Sequence, residues 1–400
     1  MELLEERFVS MADRTEKQEL GLYVHLPFCV KKCRYCDFLS APATKEMQKA
    51  YCQALLKEIE SYEFVAEQYK IRTIYFGGGT PSLLEAEWLG RILEKICQVF
   101  PDVDKKHIEI TLEVNPGTVN GEKWKVYEQI GINRISMGLQ SSHDEELKLL
   151  GRVHSYAEFL QCYEDARAYH FSNISVDMMS ALPGQQVETY RETVRRVVEL
   201  KPEHISSYSL IVEPDTAFWQ EYGPGMPKEN LLPNEDIDRK MYALTKNMLE
   251  AYGYERYEIS NYAKPGFESK HNSSYWTGIS YIGLGLGASS YFQGKRYCNC
   301  SQMESYLQHA SQMEKRVEQV EIIGRKEAME EFMFLGLRMT KGIQVSKFLE
   351  RFHENVYDVY GSVIERLKKQ NLLLENGESI WLTEYGIDVS NVVLSEFLLD

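Results

Sequence analysis

The sequence predicts an α/β protein in three parts. A partial (β/α)6 barrel covers residues 21–213, an α+β region covers 214–325, and a winged-helix-like domain covers 326–400, behind an N-terminal segment of residues 1–20. Three observations carry this expectation. Short apolar runs alternate with amphipathic stretches through the first half of the chain. The runs are uninterrupted rather than alternating apolar with polar, as parallel strands covered on both faces are. Polar and glycine residues gather where the runs end, and parallel α/β folds collect their ligands at the carboxyl ends of strands.

The runs are GLYVHLPF (21–28), TIYFGGG (73–79), HIEITLEVNP (107–116), RISMGLQS (134–141), NISVDMMSALPG (173–184) and HISSYSLIVE (204–213). Helical patterns lie between them at 44–69, 85–99, 121–130, 155–169 and 187–200. In the first, Tyr51, Leu55 and Ile59 recur at i, i+4 and i+8, which gives one apolar face. Six units are too few for a closed eight-unit barrel, so the expectation is an open or partial one. An irregular insert and a helix (Glu235 to Ala251) follow, then a segment at 261–300 rich in Gly, Ser, Asn and aromatics. From Glu327 the pattern is helix, short helix, helix, a two-stranded wing (372–382) turning at Asn-Gly, and a last helix.

Composition excludes whole classes of function. The chain has 400 residues, 44% of them hydrophobic and 26% charged, so it can build a core and is not disordered throughout. A net charge of −15, with no basic patch, opposes nucleic-acid backbones. The winged-helix-like domain carries 8 basic against 13 acidic residues, so DNA binding is not expected of it either. No signal peptide or membrane-spanning stretch is legible, and eight cysteines are too few for a disulfide scaffold. The expected location is the cytoplasm.

Three cysteines carry the chemistry. Cys29, Cys33 and Cys36 form C-x3-C-x2-C directly after the first run. Soft thiolates select zinc, Cu(I) or iron–sulfur clusters. Zinc wants four ligands and no fourth Cys or His follows closely, whereas a 4Fe–4S cluster held by three cysteines leaves one iron open for a small molecule. The other five cysteines read as core thiols, with Cys298 and Cys300 alternating on one strand face. In GGGTP (77–81), Gly78 and Gly79 let backbone approach a ligand, while Thr80 can cap a helix that has Pro81 at its first position. His25 reads as a site-shaping or core histidine. GLGLGA (283–288) imitates a dinucleotide fingerprint without its helix or its acid, so it reads as a backbone turn.

YVHLPFCVKKCRYCDF resembles the signature of radical S-adenosylmethionine (SAM) enzymes, in the branch of oxygen-independent coproporphyrinogen dehydrogenases and HemW-like haem chaperones. The likeness runs over nearly the whole chain. It implies a 4Fe–4S cluster on Cys29, Cys33 and Cys36, with SAM on the open iron through its amino and carboxylate groups. It also implies that Gly78, Gly79 and Thr80 meet the methionine part of SAM and that Tyr23 lies beside the adenine. Glu113, with two carboxylate oxygens, can accept both ribose hydroxyls. Gln140, Arg152 and Asp177 match the remaining SAM-site positions, and Arg152 can pair with the SAM carboxylate.

The resemblance leaves an enzyme and a carrier in competition. The enzyme would oxidatively decarboxylate coproporphyrinogen propionates. The carrier would keep cluster and SAM but hand haem to another protein. Phe38 stands where the dehydrogenases have a further cysteine, and only 28 residues precede Cys29 where they have a long extension. HNSSYW (271–276) matches a motif associated with haem in HemW-like proteins, so His271 is a candidate axial ligand, with a hydrogen-bonded loop histidine as the alternative. Tyr275 and Trp276 can pack on the porphyrin. The expectation is therefore a haem chaperone with no catalytic residue assigned. Its partners are haem and an acceptor protein, a respiratory one among the candidates, with transient membrane contact and homodimerisation left open.

Overall fold

The computed structural model describes residues 17–399; residues 1–16 of the expected N-terminal segment lie outside the described residues. The barrel runs β1 (Gln18–Leu26), α1 (Lys45–Glu60), β2 (Tyr69–Gly78), α2 (Ala86–Val99), β3 (Glu109–Val114), α3 (Gly121–Ile130), β4 (Arg134–Gln140), α4 (Asp144–Leu150), α5 (Tyr156–Ala168), β5 (Ile174–Ser180), α6 (Val187–Glu199) and β6 (His204–Ser209). The six strands are neighbours in chain order and all pair in parallel. Leu22, Val24, Ile74, Phe76, Ile110 and Leu112 are buried under the helices, whereas the residues between them in β2 and β3, such as Thr73, Tyr75, Thr111 and Glu113, are polar. These strands alternate, unlike the uninterrupted apolar runs expected, because the barrel interior is lined by hydrogen-bonding groups.

Two elements of the barrel differ from the sequence pattern. The helix expected over 44–69 ends at Glu60, where the Ser61 hydroxyl donates to the Glu58 carbonyl at 2.6 Å. Tyr69 instead opens β2, because it pairs with Gln18 of β1 and extends the strand at its start. Helix α4 has no counterpart in the expected elements. Seven residues are under two turns, too short for a periodic stripe, and its signals are the acids Asp144, Glu145 and Glu146 and the cap Gly151 at φ 75°.

The extension covers both barrel edges. Helices α7 (Ala217–Tyr222) and α8 (Glu235–Ala251) lead to β7 (Glu255–Arg256) and β8 (Asn261–Ala263), which add antiparallel beyond β6. After α9 (Lys270–Trp276) the chain crosses to the other edge. There β9 (Tyr281–Leu284) lies parallel to β1, followed outward by β10 (Ser289–Phe292), β11 (Lys295–Asn299) and, after α10 (Met303–His309) and α11 (Met313–Arg316), β12 (Val317–Ile322). GLGLGA is indeed a turn after a strand. Its Gly285, at φ 105°, donates its N–H to the buried Glu58 carboxylate at 2.8 Å, which also accepts from the Tyr306 hydroxyl and Asn299 (2.7 Å) and pairs with Arg316 (3.3 Å).

The C-terminal unit has its own core, built on Met333, Phe348, Tyr360, Ile380 and Phe397. It comprises α12 (Arg325–Gly336), β13 (Ile343–Gln344), α13 (Val345–Phe352), α14 (Val356–Lys369), β14 (Leu373–Glu375), β15 (Ser379–Leu382), α15 (Glu384–Asp388) and α16 (Ser390–Ser395). The expected wing forms. Gly377 sits at φ 85°, and the Asn376 side chain accepts from the N–H groups of Glu378 and Ser379. The single last helix of the sequence pattern is two short ones. Among the described residues, no helix is long and apolar enough to cross a membrane.

Candidate functional site

A polar pocket of about 160 Å³ opens at the carboxyl ends of the barrel strands. Cys29, Cys33, Cys36, Gly78, Gly79, Thr80, Glu113, Gln140, Arg152 and Asp177 all line it. Residues 148 positions apart in the chain thus meet at one mouth, and a scatter of unrelated turns and caps does not do that.

Backbone contacts from distant elements hold the cysteine loop. The Cys29 N–H reaches the Ala41 carbonyl (3.1 Å), the Arg34 N–H the Leu150 carbonyl at the end of α4 (3.0 Å), and the Phe218 N–H of α7 the Arg34 carbonyl (2.9 Å). The three thiols are free, and no group of three or more Cys, His, Asp or Glu among the described residues is gathered as for a single ion. Thiols spread around one loop suit a polynuclear cluster with one thiolate per iron. The Thr80 hydroxyl points at Cys29 Sγ (3.6 Å) and Arg152 Nη1 at Cys33 Sγ (3.8 Å), so hydrogen-bond donors already face the sulfurs.

The structure changes the reasons for several expected residues. Thr80 makes no side-chain cap; its hydroxyl accepts from Asn115 Nδ2 at 2.8 Å and faces Cys29, and the turn after it is 3₁₀. Gly78 is required by its φ of 114° and by the His25 ring, which a Cβ there would meet at 2.6 Å. A Cβ on Gly79 would lie 2.7 Å from the Phe28 carbonyl. Both glycines therefore admit protein before they admit any ligand. Gln140 is aimed by a bulge: the β4–β5 register shifts between Gly138 and Gln140, and Gln140 takes a left-handed φ of 71° at the pocket edge. Arg152 Nη2 donates to Asn115 Oδ1 (2.7 Å) and the Gly138 carbonyl (2.8 Å), leaving its Nε buried without a partner.

Two carboxyls share the pocket floor. Burial pushes Glu113 up to about 7; the Asp177 charge adds to this, while hydrogen bonds from Tyr75 (2.8 Å) and the Gly78 N–H (3.2 Å) oppose it. Asp177 is likewise raised by burial, against hydrogen bonds that include Ser136 at 3.2 Å. A carboxyl poised near neutrality, its two oxygens held by different donors, suits a ligand that offers paired hydroxyls.

Tyr23 and His271 do not line the pocket. Tyr23 stands behind Gly77, bonded to His25 Nδ1 (3.0 Å) and stacked on Tyr75. His25 is buried, and its Nε2 meets the Leu39 carbonyl at 2.9 Å, as a site-shaping residue should. His271 is on a helix rather than a loop. Glu109, the first residue of β3, accepts the N–H groups of Lys270 and His271 at 2.9 Å each and so seats α9 at the amino end of the barrel. The imidazole is buried and stacks on Tyr75 (5.0 Å), with Nδ1 on Thr73 Oγ1 and Nε2 on Tyr275 Oη, each at 2.8 Å. Burial pushes its pKa down to about 3, so the ring is neutral. Both nitrogens are therefore engaged within the protein, as in the hydrogen-bonded alternative, though on a helix rather than a loop.

The far face of α9 meets a larger cavity of about 880 Å³, walled by Tyr275, Trp276 and Tyr281 on one side and by Phe332, Leu335 and Met339 of the C-terminal unit on the other. It lies beyond α9, which Glu109 seats at the start of β3, and so faces away from the mouth that Glu113 lines. Sequence reading missed Asn115, Tyr75 and Ser136. Asn115 lies two residues after Glu113 in the same NP turn, and its position at a strand end was the signal available. The other cysteines divide: Cys52, Cys162 and Cys300 are buried, whereas Cys97 and Cys298 are partly exposed, so Cys298 and Cys300 do not share one environment.

Comparison with known proteins agrees with this architecture. The Radical SAM superfamily profile matches residues 23–197, and that of the HemN C-terminal domain matches residues 323–389. A protein named "Heme chaperone HemW" from Lactococcus lactis is 40% identical over 94% of this chain and 97% of its own length; its namesake from Bacillus subtilis is 35% identical over 94% and 98%. The solved structure of coproporphyrinogen III oxidase (HemN) from Escherichia coli superposes with a TM-score of 0.82 over 96% of this chain and 90% of its own, at 22% identity, a likeness of fold. At 35–40% identity over nearly the whole length of both chains, the chain belongs to the HemW family of the radical SAM superfamily.

Proposed function

We propose that this protein is a haem chaperone: it binds a 4Fe–4S cluster, SAM and haem, and passes haem to an acceptor protein. Cys29, Cys33 and Cys36 hold the cluster. When bound, the cluster supplies an open iron for SAM and an electron able to cleave its sulfonium. Glu113 accepts the ribose hydroxyls, Arg152 faces the SAM carboxylate, and Gly78, Gly79 and Thr80 shape the methionine side. Gln140 and Asp177 close the pocket floor, and Tyr23 backs the adenine from behind Gly77.

The observation that carries the carrier reading is where the space lies. A macrocycle-sized space with an aromatic wall lies away from the mouth, where Cys29, Cys33 and Cys36 are gathered. Sites for drug-sized ligands run to ~300–1,000 Å³. The cavity of that size, about 880 Å³, has Tyr275 and Trp276 of HNSSYW in its wall and lies at the other end of the barrel. Phe38, 61% exposed at the mouth, also stands where the dehydrogenases carry a cysteine. His271 then serves haem by fixing Tyr275 in the wall, and direct ligation requires it to release Tyr275 or Thr73.

Anaerobically reconstituted protein tests the proposal against the dehydrogenase alternative. It should give a defined Soret band with haem and deliver that haem to an apo-acceptor. It should form no decarboxylated product from coproporphyrinogen with SAM and a reductant. Robust product formation would replace the carrier with the enzyme.

A further inference from the structure

Between the barrel's amino end and the C-terminal unit, the 880 Å³ cavity combines apolar walls with a cationic rim. Lys341, Lys347 and Arg351, all exposed and all from the stretch around β13 and α13, line it. None of the three has an ion pair with a carboxylate among the described residues, in a chain of net charge −15 where acids outnumber bases. The carboxylate lining the cavity, Glu331, is already held by Arg296 at 2.9 Å. Arg351 reaches across the cavity edge to donate to the Tyr291 hydroxyl of β10 at 3.0 Å, which ties the C-terminal unit to the sheet.

Unpaired cations beside an apolar slot specify a ligand with a flat apolar body and carboxylates at one edge. We infer that this cavity is the haem site. The macrocycle lies between Tyr275 and Trp276 on one wall and Phe332, Leu335 and Met339 on the other, and its propionates are anchored by Lys347 and Arg351, with Lys341 beside them. The C-terminal unit is then half of the haem site rather than an appended module. This inference rests on the haem-chaperone reading and adds the location and the anchoring chemistry.

The test uses the full chain with its cluster reconstituted. Haem and haem dimethyl ester, which lacks the carboxylates, are titrated in one detergent-containing buffer into wild type, a Lys347→Ala/Arg351→Ala variant and a Lys49→Ala/Lys57→Ala control of equal charge change on α1. Wild type and control should prefer haem to its ester by at least tenfold. The cavity variant should bind haem at least tenfold more weakly and lose the preference, with cluster content as in wild type. Equal binding of haem and ester by wild type, or an undiminished preference in the cavity variant, overturns the inference while leaving the chaperone reading standing. No haem binding by wild type overturns both.

Discussion

The two ends of the barrel are built on opposite principles. The carboxyl end is a small pocket of polar groups delivered by strand termini, with Glu113 and Asp177 on its floor and Arg152 and Asn115 hydrogen-bonded at its side. The amino end is a cavity more than five times larger, walled by aromatic and aliphatic side chains from an inserted helix and a separate C-terminal core. Between them stand the rings of Tyr75 and His271: Tyr75 bonds Glu113 above, and His271 bonds Tyr275 below. A parallel barrel offers its strand ends for precise polar chemistry at one end only. A bulky apolar cargo is accommodated where added elements leave a gap.

This comparison is most exposed to loss of the cluster ligands. Changing Cys29, Cys33 and Cys36 together to Ala should reduce reconstituted iron to background, while haem binding at the opposite end persists. Parallel loss of haem would show that the two ends are not separate sites.

Next in size is His271→Ala. It removes a buried ring and leaves the Thr73 and Tyr275 hydroxyls without it, a cost of about 3 kcal/mol from cavity and hydrogen-bond terms. Thermal unfolding should move down by several degrees. The Soret position should stay, since the ring is engaged within the protein, even where the band weakens through a loosened Tyr275; a shifted band would put His271 on the iron.

Glu113→Gln acts at the mouth alone. Losing a charged acceptor costs roughly 1.5–3 kcal/mol, so SAM should bind about ten- to a hundredfold more weakly with cluster and haem spectra intact. The wild-type carboxyl, at about 7 in the ligand-free fold against an ordinary 4.5, adds a pH signature. SAM affinity should fall as pH drops below about 7 and be flat in the Gln variant. The folded state holds this proton more tightly than the unfolded chain, so its contribution to stability is full below about 4.5 and is lost as pH rises through about 7. The Gln variant should therefore gain thermal stability over wild type at pH 8 more than at pH 5. Identical pH profiles in the two proteins would remove Glu113 from the account.

Tyr75→Phe should have the smallest effect. It deletes one hydrogen bond to Glu113, worth about 1 kcal/mol, and because that bond lowers the Glu113 pKa, the pH midpoint of SAM binding should move upward. A downward shift would reverse the assigned sign.

Local sequence determined the mouth. Strand-end residues such as Cys29, Gly78, Glu113 and Asp177 sit at fixed offsets within apolar runs, and parallel pairing in chain order brings such offsets to one rim. Its fine aim was not legible. The bulge that turns Gln140 comes from a β4–β5 register shift, and α4, which sets Arg152, is too short to show a period. The amino-end cavity was decided by tertiary structure alone. HNSSYW marked aromatic residues near a polar ring, but which nitrogen meets which partner depends on Thr73 and Glu109, some 160–200 positions away. Lys347 and Arg351 read as ordinary surface charges until α13 is packed against the sheet. Periodicity and spacing encode what neighbours along the chain do together, whereas a cavity is the space left between elements, and no single segment carries its shape.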